Sequence, residues 1–275
     1  MIKKVLKEDE ELLNKIISND IFQNVYIYID TQIYGYNGDN ISTFILCNDG
    51  KIKAILFQYY DSLQLFQCEE INNQDLNEIV NHIKKYKFSM ISGEVKFINT
   101  IFKEISDIYE VHTGIVMKKD TGSDKSSGRS VLAQDADYDE IVNLILLDEN
   151  IGGHYSFEQL KEQFIDRKNN MNCKNIIIKD NNKVICHAAT YADSKLISVI
   201  GGVITDKAYR GLGLGKIIVN DLTNLIQQEN KIPVLYCYDK NTIQWYEKQG
   251  FKKINTSSKL ELIKNDDKKN NCSKD

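Results

Sequence analysis

The stretch that most narrows what this chain can fold into is "AYRGLGLGKIIV", residues 208 to 219. Here three glycines stand on alternate positions directly before an apolar run. Gly211, Gly213 and Gly215 are three of only fifteen glycines in 275 residues. Glycine weakens a helix start unless the backbone must turn through positive φ or let something come very close. Upstream, "LISVIGGVIT" (196 to 205) reads as an apolar strand. Downstream, Ile217, Ile218, Leu222, Leu225 and Ile226 recur at three- and four-residue steps, which predicts a helix from Lys216 to about Gln228. A glycine-rich turn between strand and helix makes an anion cradle. The helix N-terminus offers unpaired N–H groups and a partial positive charge, and the missing Cβ atoms let those amides face a phosphate. Arg210 adds a fixed positive charge beside them.

Around this turn the second half reads as strand "RSVLAQ", helix 138–148, helix 156–167, a hairpin, the strand 196–205, the turn and its helix, strand "IPVLYCY" (232 to 238), helix 241–248 and a last strand near "KLELIK". That order predicts the α/β (α+β) class, with a mixed sheet and helices on both faces. "FILCNDGKIKAILFQYYDS" (44 to 62) lies over "IIIKDNNKVICHAATYADS" (176 to 194) at a constant step of 132 residues, the distance from Phe44 to Ile176. Both read as strand, polar turn, strand. The polar, Ser- and Gly-rich run 118 to 130 reads as a linker. The expected organisation is a first domain 1–118, a linker 119–128, a second domain 129–264 and a disordered tail 265–275. Gly201-Gly202 inside a strand predicts a β-bulge.

A hydrophobic content of 42% supplies a core, and a net charge of −4 argues against nucleic acid as a partner. Cys47, Cys68, Cys173, Cys186, Cys237 and Cys272 are scattered without a C-x-x-C pair, so reduced thiols are expected rather than disulfides or a metal site. The opening "MIKKVLKEDEELL" is charged, and no apolar run approaches the roughly 18 residues of a membrane span. A cytoplasmic protein without membrane contact is expected.

Two phosphate-binding motifs fail here. Ile217 follows Lys216 where a Walker loop needs Ser or Thr, and the glycines sit as G-x-G-x-G rather than G-x-G-x-x-G. What remains is Arg-x-x-Gly-x-Gly: Arg210, Gly213, Gly215. With "GGVITDKAYRGLGLGKIIV" this resembles the GNAT family of acyl-CoA-dependent N-acetyltransferases, whose loop reads Gln/Arg-x-x-Gly-x-Gly/Ala between a strand and a helix. "DKNTIQWYEKQGF" (239 to 251) is similar to the family's closing helix at Tyr246, Glu247, Lys248, Gly250 and Phe251, with Asp239 where Asn is usual and Thr242 where Ala is usual. The resemblance covers 128 to 264.

The resemblance implies a mostly antiparallel GNAT-type sheet, two GNAT-like domains in tandem, and acetyl-CoA as cosubstrate with no metal. Val203, Ile204 and Thr205 would pair with the pantetheine arm, in the splay between their strand and 232–238. The amides of Gly211, Leu212, Gly213, Leu214, Gly215 and Lys216, with Arg210, would hold the pyrophosphate, and Asp239 takes the position of a pantetheine contact. A backbone N–H near Val203 would polarise the thioester carbonyl. Tyr246 aligns with the general acid that protonates the leaving thiolate. The strand carries no Glu for a base; His187 and His154 are the candidates, or water serves. Cys186 adjoins His187, but adjacent strand residues point to opposite faces, which speaks against covalent catalysis. The acceptor is a small-molecule or peptide amine. The alternative is a CoA-binding regulatory module without turnover. Positions 78–83, "EIVNHI", lie 132 residues before the glycine loop and carry neither Gly nor Arg. The first half is therefore expected to bind no CoA, and to serve as support, as part of the amine pocket or as a homodimer contact.

Overall fold

The computed structural model describes residues 1–120, 126–153, 155–171 and 173–263, so His154, Cys272 and the tail 265–275 lie outside the described residues. Two compact units divide the chain: Met1–Ile115 together with the segment from Asn255, and Val116–Ile254. The division differs from the expected one in its last strand, which the sequence placed with the second domain.

The first unit runs β1 (Ile2–Lys4), α1 (Glu10–Asn19), α2 (Val25–Tyr34), β2 (Asn37–Gly38), β3 (Ile41–Asn48), β4 (Lys51–Tyr59), β5 (Ser62–Gln67), α3 (Asn73–Tyr86), β6 (Met90–Glu94), α4 (Val95–Phe102) and most of β7 (Tyr109–Lys118). The second runs β8 (Val131–Leu132), α5 (Tyr138–Leu146), α6 (Glu149–Gly152), α7 (Phe157–Met171), β9 (Asn175–Asp180), β10 (Lys183–Asp193), β11 (Ile197–Thr205), α8 (Leu214–Gln228), β12 (Ile232–Cys237) and α9 (Lys240–Glu247). β13 (Lys252–Leu262) closes the chain and belongs to the first unit from Asn255. There it pairs antiparallel with β6, Ser257 opposite Glu94 and Leu260 opposite Ile91.

Leaving out β2 and α6, the segments β1 to β7 and β8 to β13 repeat one order along the chain: strand, two helices, a hairpin, a strand, helix, strand, helix, strand. In the first unit β1–β3, β3–β4 and β4–β5 pair antiparallel and β5–β6 parallel; in the second β8–β9, β9–β10 and β10–β11 pair antiparallel and β11–β12 parallel. A helix crosses between the strands of each parallel pair, as a parallel connection requires. The hairpin repeat is physical. Asp49 and Gly50 turn β3 into β4 with φ of 51° and 71°, and Asn181 and Asn182 turn β9 into β10 with 47° and 67°. Two successive positive φ values make a type I′ turn, which Asp, Asn and Gly tolerate.

The 132-residue step fails beyond that hairpin. Residues 78–83 fall inside α3 rather than at its start, because β10, β11 and the loop after β11 are all longer than their first-unit counterparts. The first-unit counterpart of the glycine loop is therefore 68–72, Cys-Glu-Glu-Ile-Asn. It ends in a capping box: Asn72 Oδ1 accepts from the Asp75 amide at 2.9 Å, and Asp75 Oδ2 accepts from the Asn72 amide at 3.1 Å. The first turn of α3 thus answers amides with its own side chains, one of them anionic.

Each unit has its own core. Leu56, Leu63, Ile79, Ile83, Ile91, Phe97, Ile101 and Leu260 meet in the first. Ile141, Ile145, Leu160, Phe164, Ile177, Val184 and Ile204 meet in the second. The predicted linker ends on the second unit rather than spanning freely. Asp221 of α8 accepts from Ser126 Oγ, the Ser127 amide, Ser127 Oγ and Ser130 Oγ at 2.7 to 3.1 Å. Burial works against its charge, yet these donors hold its carboxyl below the usual range. Among the described residues no helix is long and apolar enough to cross a membrane.

Candidate active site

β11 carries the site because two irregularities bend it away from its neighbours. His187 of β10 pairs with Ile204, but Ala189 pairs with Gly201, so Gly202 and Val203 together face Ala188. This is the bulge the glycine pair predicts. Gly202 has φ +59°, and a Cβ on it would come within 2.5 Å of the Tyr191 hydroxyl. A second bulge at Tyr191 of β10 restores the register. On the other side, β11 pairs with β12 only from Ile197–Ile232 to Ile200–Leu235. β11 runs on to Thr205 and β12 to Cys237, so Val203 to Thr205 face a gap.

That gap leads to the N-terminus of α8. Gly213 caps the helix in the left-handed region, φ 77°, and makes no side-chain cap. The first intrahelical bond runs from the Ile217 amide to the Gly213 carbonyl at 3.1 Å. The amides of Leu214, Gly215 and Lys216 precede it and point out of the helix end. The loop before them is braced. Asp206 Oδ1 accepts from the Ala208 amide at 2.9 Å while its carboxylate pairs with Lys183 at 2.7 Å, and the Tyr209 hydroxyl reaches Asp180 at 2.7 Å. Arg210 Nε donates to the Thr205 carbonyl at 3.2 Å, and its guanidinium lies 3.4 Å from Asp148.

Splay and cradle open into one cavity of about 470 Å³. Val203, Ile204, Thr205, Arg210, Gly211, Gly213, Leu214, Gly215, Lys216 and Tyr246 line it. So do Asp148, Ile151, Tyr209, Thr242 and Trp245, which the motifs did not nominate as ligand contacts. Trp245 adjoins the motif tyrosine. Asp148 and Ile151 belong to no motif, and only the fold brings them in. Leu212 points outward, 65% exposed. Asp239 is spent on α9: its Oδ1 accepts from the amide and the hydroxyl of Thr242, both at 2.8 Å, and the Thr242 bonds hold its carboxyl below the usual range.

Tyr246 is 7% exposed, ring to ring with Trp245 at 4.9 Å and Phe251 at 5.4 Å. Burial, with Cys237 nearby, pushes its phenol up from the ordinary value, so it keeps its proton at neutral pH. His187 stands elsewhere. It is fully buried, with Nδ1 2.8 Å from the Gly202 carbonyl oxygen and Nε2 3.0 Å from Asn175 Oδ1. Both nitrogens are engaged, and His187 does not line the cavity. Burial lowers its pKa from 6.5 to about 4. The folded chain therefore binds fewer protons than the unfolded one between those values. Stability is expected to be full above about pH 6.5 and to fall as the pH drops toward 4. Replacing His187 with glutamine should flatten that limb in denaturation curves; an unchanged limb counts against this account. Cys186 is buried, its Sγ 3.2 Å from Thr205 Oγ1, and burial raises its thiol to about 11. Among the described residues no group of three His, Cys, Asp or Glu side chains is placed to hold a metal ion.

A mostly antiparallel sheet parts beside its parallel pair, β11 with β12, and an open helix N-terminus lies in the gap. The comparisons assign the class. Residues 139–251 match the acetyltransferase (GNAT) family model. The match falls within the second unit. Solved structures resemble the chain along nearly its whole length. A Drosophila protein superposes with a TM-score of 0.71 at 11% identity, covering 95% of this chain and 98% of that one. A GCN5-related N-acetyltransferase from Sphaerobacter thermophilus gives 0.65 at 10% identity, covering 96% of each. A tandem GNAT protein from the clavulanic acid biosynthesis pathway gives 0.57 at 9%, covering 94% and 98%. No curated protein matches the chain.

Proposed function

We propose that this chain moves an acetyl group from acetyl-CoA directly to a primary amine, with the second unit catalytic. The observation that carries the reading is the Gly213-capped start of α8, whose outward amides open on the same cavity as Tyr246. The amides of Leu214, Gly215 and Lys216, with Arg210, hold the diphosphate through charge-assisted hydrogen bonds. Val203 to Thr205 offer the strand edge to the pantetheine arm. Acetyl-CoA supplies the activated acetyl carbon. A lysine-like amine has a pKa of about 10.4 and must lose one proton to water before its nitrogen attacks. The C–N bond forms, the C–S bond breaks, and Tyr246 donates its phenolic proton to the departing thiolate. The second amine proton then restores the phenol. The burial that raises the phenol raises the thiolate as well, which keeps the transfer matched.

CoA titrated calorimetrically, followed by CoA release measured across phenethylamine, spermidine and a lysine-bearing peptide, tests the reading. Heat of binding with amine-dependent release is expected. Heat without release supports the binding-module alternative, and no heat removes both.

A further inference from the structure

His187 is fully buried on β10, away from the cavity, yet it grips the bulge that breaks the register of β11. Its Nδ1 lies 2.8 Å from the Gly202 carbonyl oxygen. A carbonyl oxygen only accepts, so this bond puts the ring proton on Nδ1. The ring is fixed from two further sides. Asn175 Oδ1 lies 3.0 Å from Nε2, and Phe164 meets the ring edge-on at 5.6 Å. Gly202 has φ +59° and shares Ala188 with Val203 as its opposite residue. A Cβ on Gly201 or Gly202 would come within 2.5 Å of Tyr191, so glycine is required at both places. A glycine there can turn over the peptide that follows it at small cost, which exchanges the directions of its carbonyl and the next amide. The bond to His187 selects one orientation, because turning the carbonyl away would leave a buried donor unpaired. The peptide between Gly202 and Val203 is trans, so its N–H points opposite to its C=O. With the carbonyl turned to His187, the Val203 amide points away from it. Val203 lines the cavity, and β12 pairs with β11 only as far as Ile200.

We propose that His187 is a positioning residue for the transfer: it locks the Gly202–Val203 peptide so that the Val203 amide faces the acetyl carbonyl of the bound thioester. The inference rests on the acetyl-transfer reading above and deepens it. When the amine nitrogen attacks, the acetyl oxygen takes up negative charge until the C–S bond breaks. A donor already aimed at that oxygen gains strength in the transition state, whereas a donor that must first turn loses part of that gain. His187 is walled off from the reacting atoms and moves no proton. Burial lowers its pKa to about 4, so across neutral pH it stays a neutral ring with one N–H, and that single donor matches the one carbonyl it holds.

Two amide side chains separate the ring nitrogens. An asparagine amide reaches to where Nδ1 stands, and a glutamine amide reaches to where Nε2 stands. The test compares wild type, His187→Asn and His187→Gln by calorimetry with CoA, by thermal melts and by steady-state transfer to phenethylamine, spermidine and a lysine-bearing tripeptide. It adds isotope-edited infrared spectra of carbonyl-labelled acetyl-CoA bound without amine. All three proteins should bind CoA within about threefold of one another, because the cradle at α8 is untouched. His187→Gln should lose about 10- to 100-fold in kcat with little change in the amine KM, while His187→Asn stays within about fivefold of wild type. Asparagine leaves the larger void and should melt lower, so a role through stability alone gives the reverse order of rates. The labelled carbonyl should absorb at lower frequency on wild type and His187→Asn than in solution, and return toward the solution value on His187→Gln. Equal losses in the two variants, rates that follow the melting order, or a wild-type carbonyl unmoved from solution overturns the inference. If wild type binds CoA but acetylates none of the three amines, the infrared comparison decides alone. A wild-type protein that binds no CoA at all fails the underlying reading instead, so the two failures are told apart.

Discussion

Gly213→Val is expected to weaken CoA binding about 100-fold or more while leaving the chain folded. Gly213 holds φ +77°, and nothing lies within 4 Å of a Cβ built there. The obstacle is therefore the backbone, not crowding inside the protein. A β-branched residue in the left-handed region costs about 1–2 kcal/mol or more. Relaxing to negative φ turns the first amides of α8 away from the cavity. Two lost hydrogen bonds to a charged acceptor, at about 1.5–3 kcal/mol each, give at least the stated factor. Gly215→Ala is the contrasting variant. Its Cβ would meet Trp245 at 3.5 Å and Thr205 Oγ1 at 3.7 Å, ordinary contacts, at a helical position where alanine is favoured. It should fold at least as well as wild type and lose less than about tenfold in affinity. Calorimetry together with the CoA-dependent rise in Tm reads both. Equal affinity in Gly213→Val and wild type would falsify the cradle.

The glycine loop was legible because its requirement is local. Most positive-φ residues among those described are Gly, Asn or Asp, as at the Asp49-Gly50 and Asn181-Asn182 turns and the Gly202 bulge. Periodicity located α8, and α8 begins at Leu214 rather than Lys216 because the glycine cap is part of the helix end. What failed to show in the sequence depends on distance in space. His187 is one candidate base in the linear chain, beside His154 and water; only the fold sets the Gly202 carbonyl and Asn175 Oδ1 beside its two nitrogens. Asp239 reads as a ligand position, yet it is the cap that α9 needs. Asp148 carries no pattern at all and gains meaning only 62 residues away, at Arg210. The repeat step of 132 residues held through the hairpin turn and then broke, since strand length is set by what a strand must reach: β5 stops at Gln67, whereas β11 runs on past its bulge to the cavity.

Tyr246→Phe tests the chemistry apart from binding. Phenylalanine keeps the ring that packs between Trp245 and Phe251, so the core around α9 and the cavity wall should stand. The lost hydroxyl has no partner among the described residues, so its removal leaves no protein group unsatisfied. If that hydroxyl is the acid that meets the thiolate, kcat should fall by about 10²–10⁴-fold with CoA affinity within a few-fold of wild type. The size of the loss should depend on the leaving group. A thioester of a more acidic thiol needs less help from an acid, so an aryl thioester in place of acetyl-CoA should narrow the gap between Phe and Tyr. Burial holds the phenol above its ordinary value, so the wild-type rate should show no fall from phenol ionisation below about pH 10. A rise with pH from amine deprotonation should dominate instead, and it should survive the substitution, because the amine rather than the tyrosine sets that limb. Loss of kcat and CoA affinity together would instead make Tyr246 a packing residue. An unchanged kcat would move the proton donor to water in the splay beside Val203.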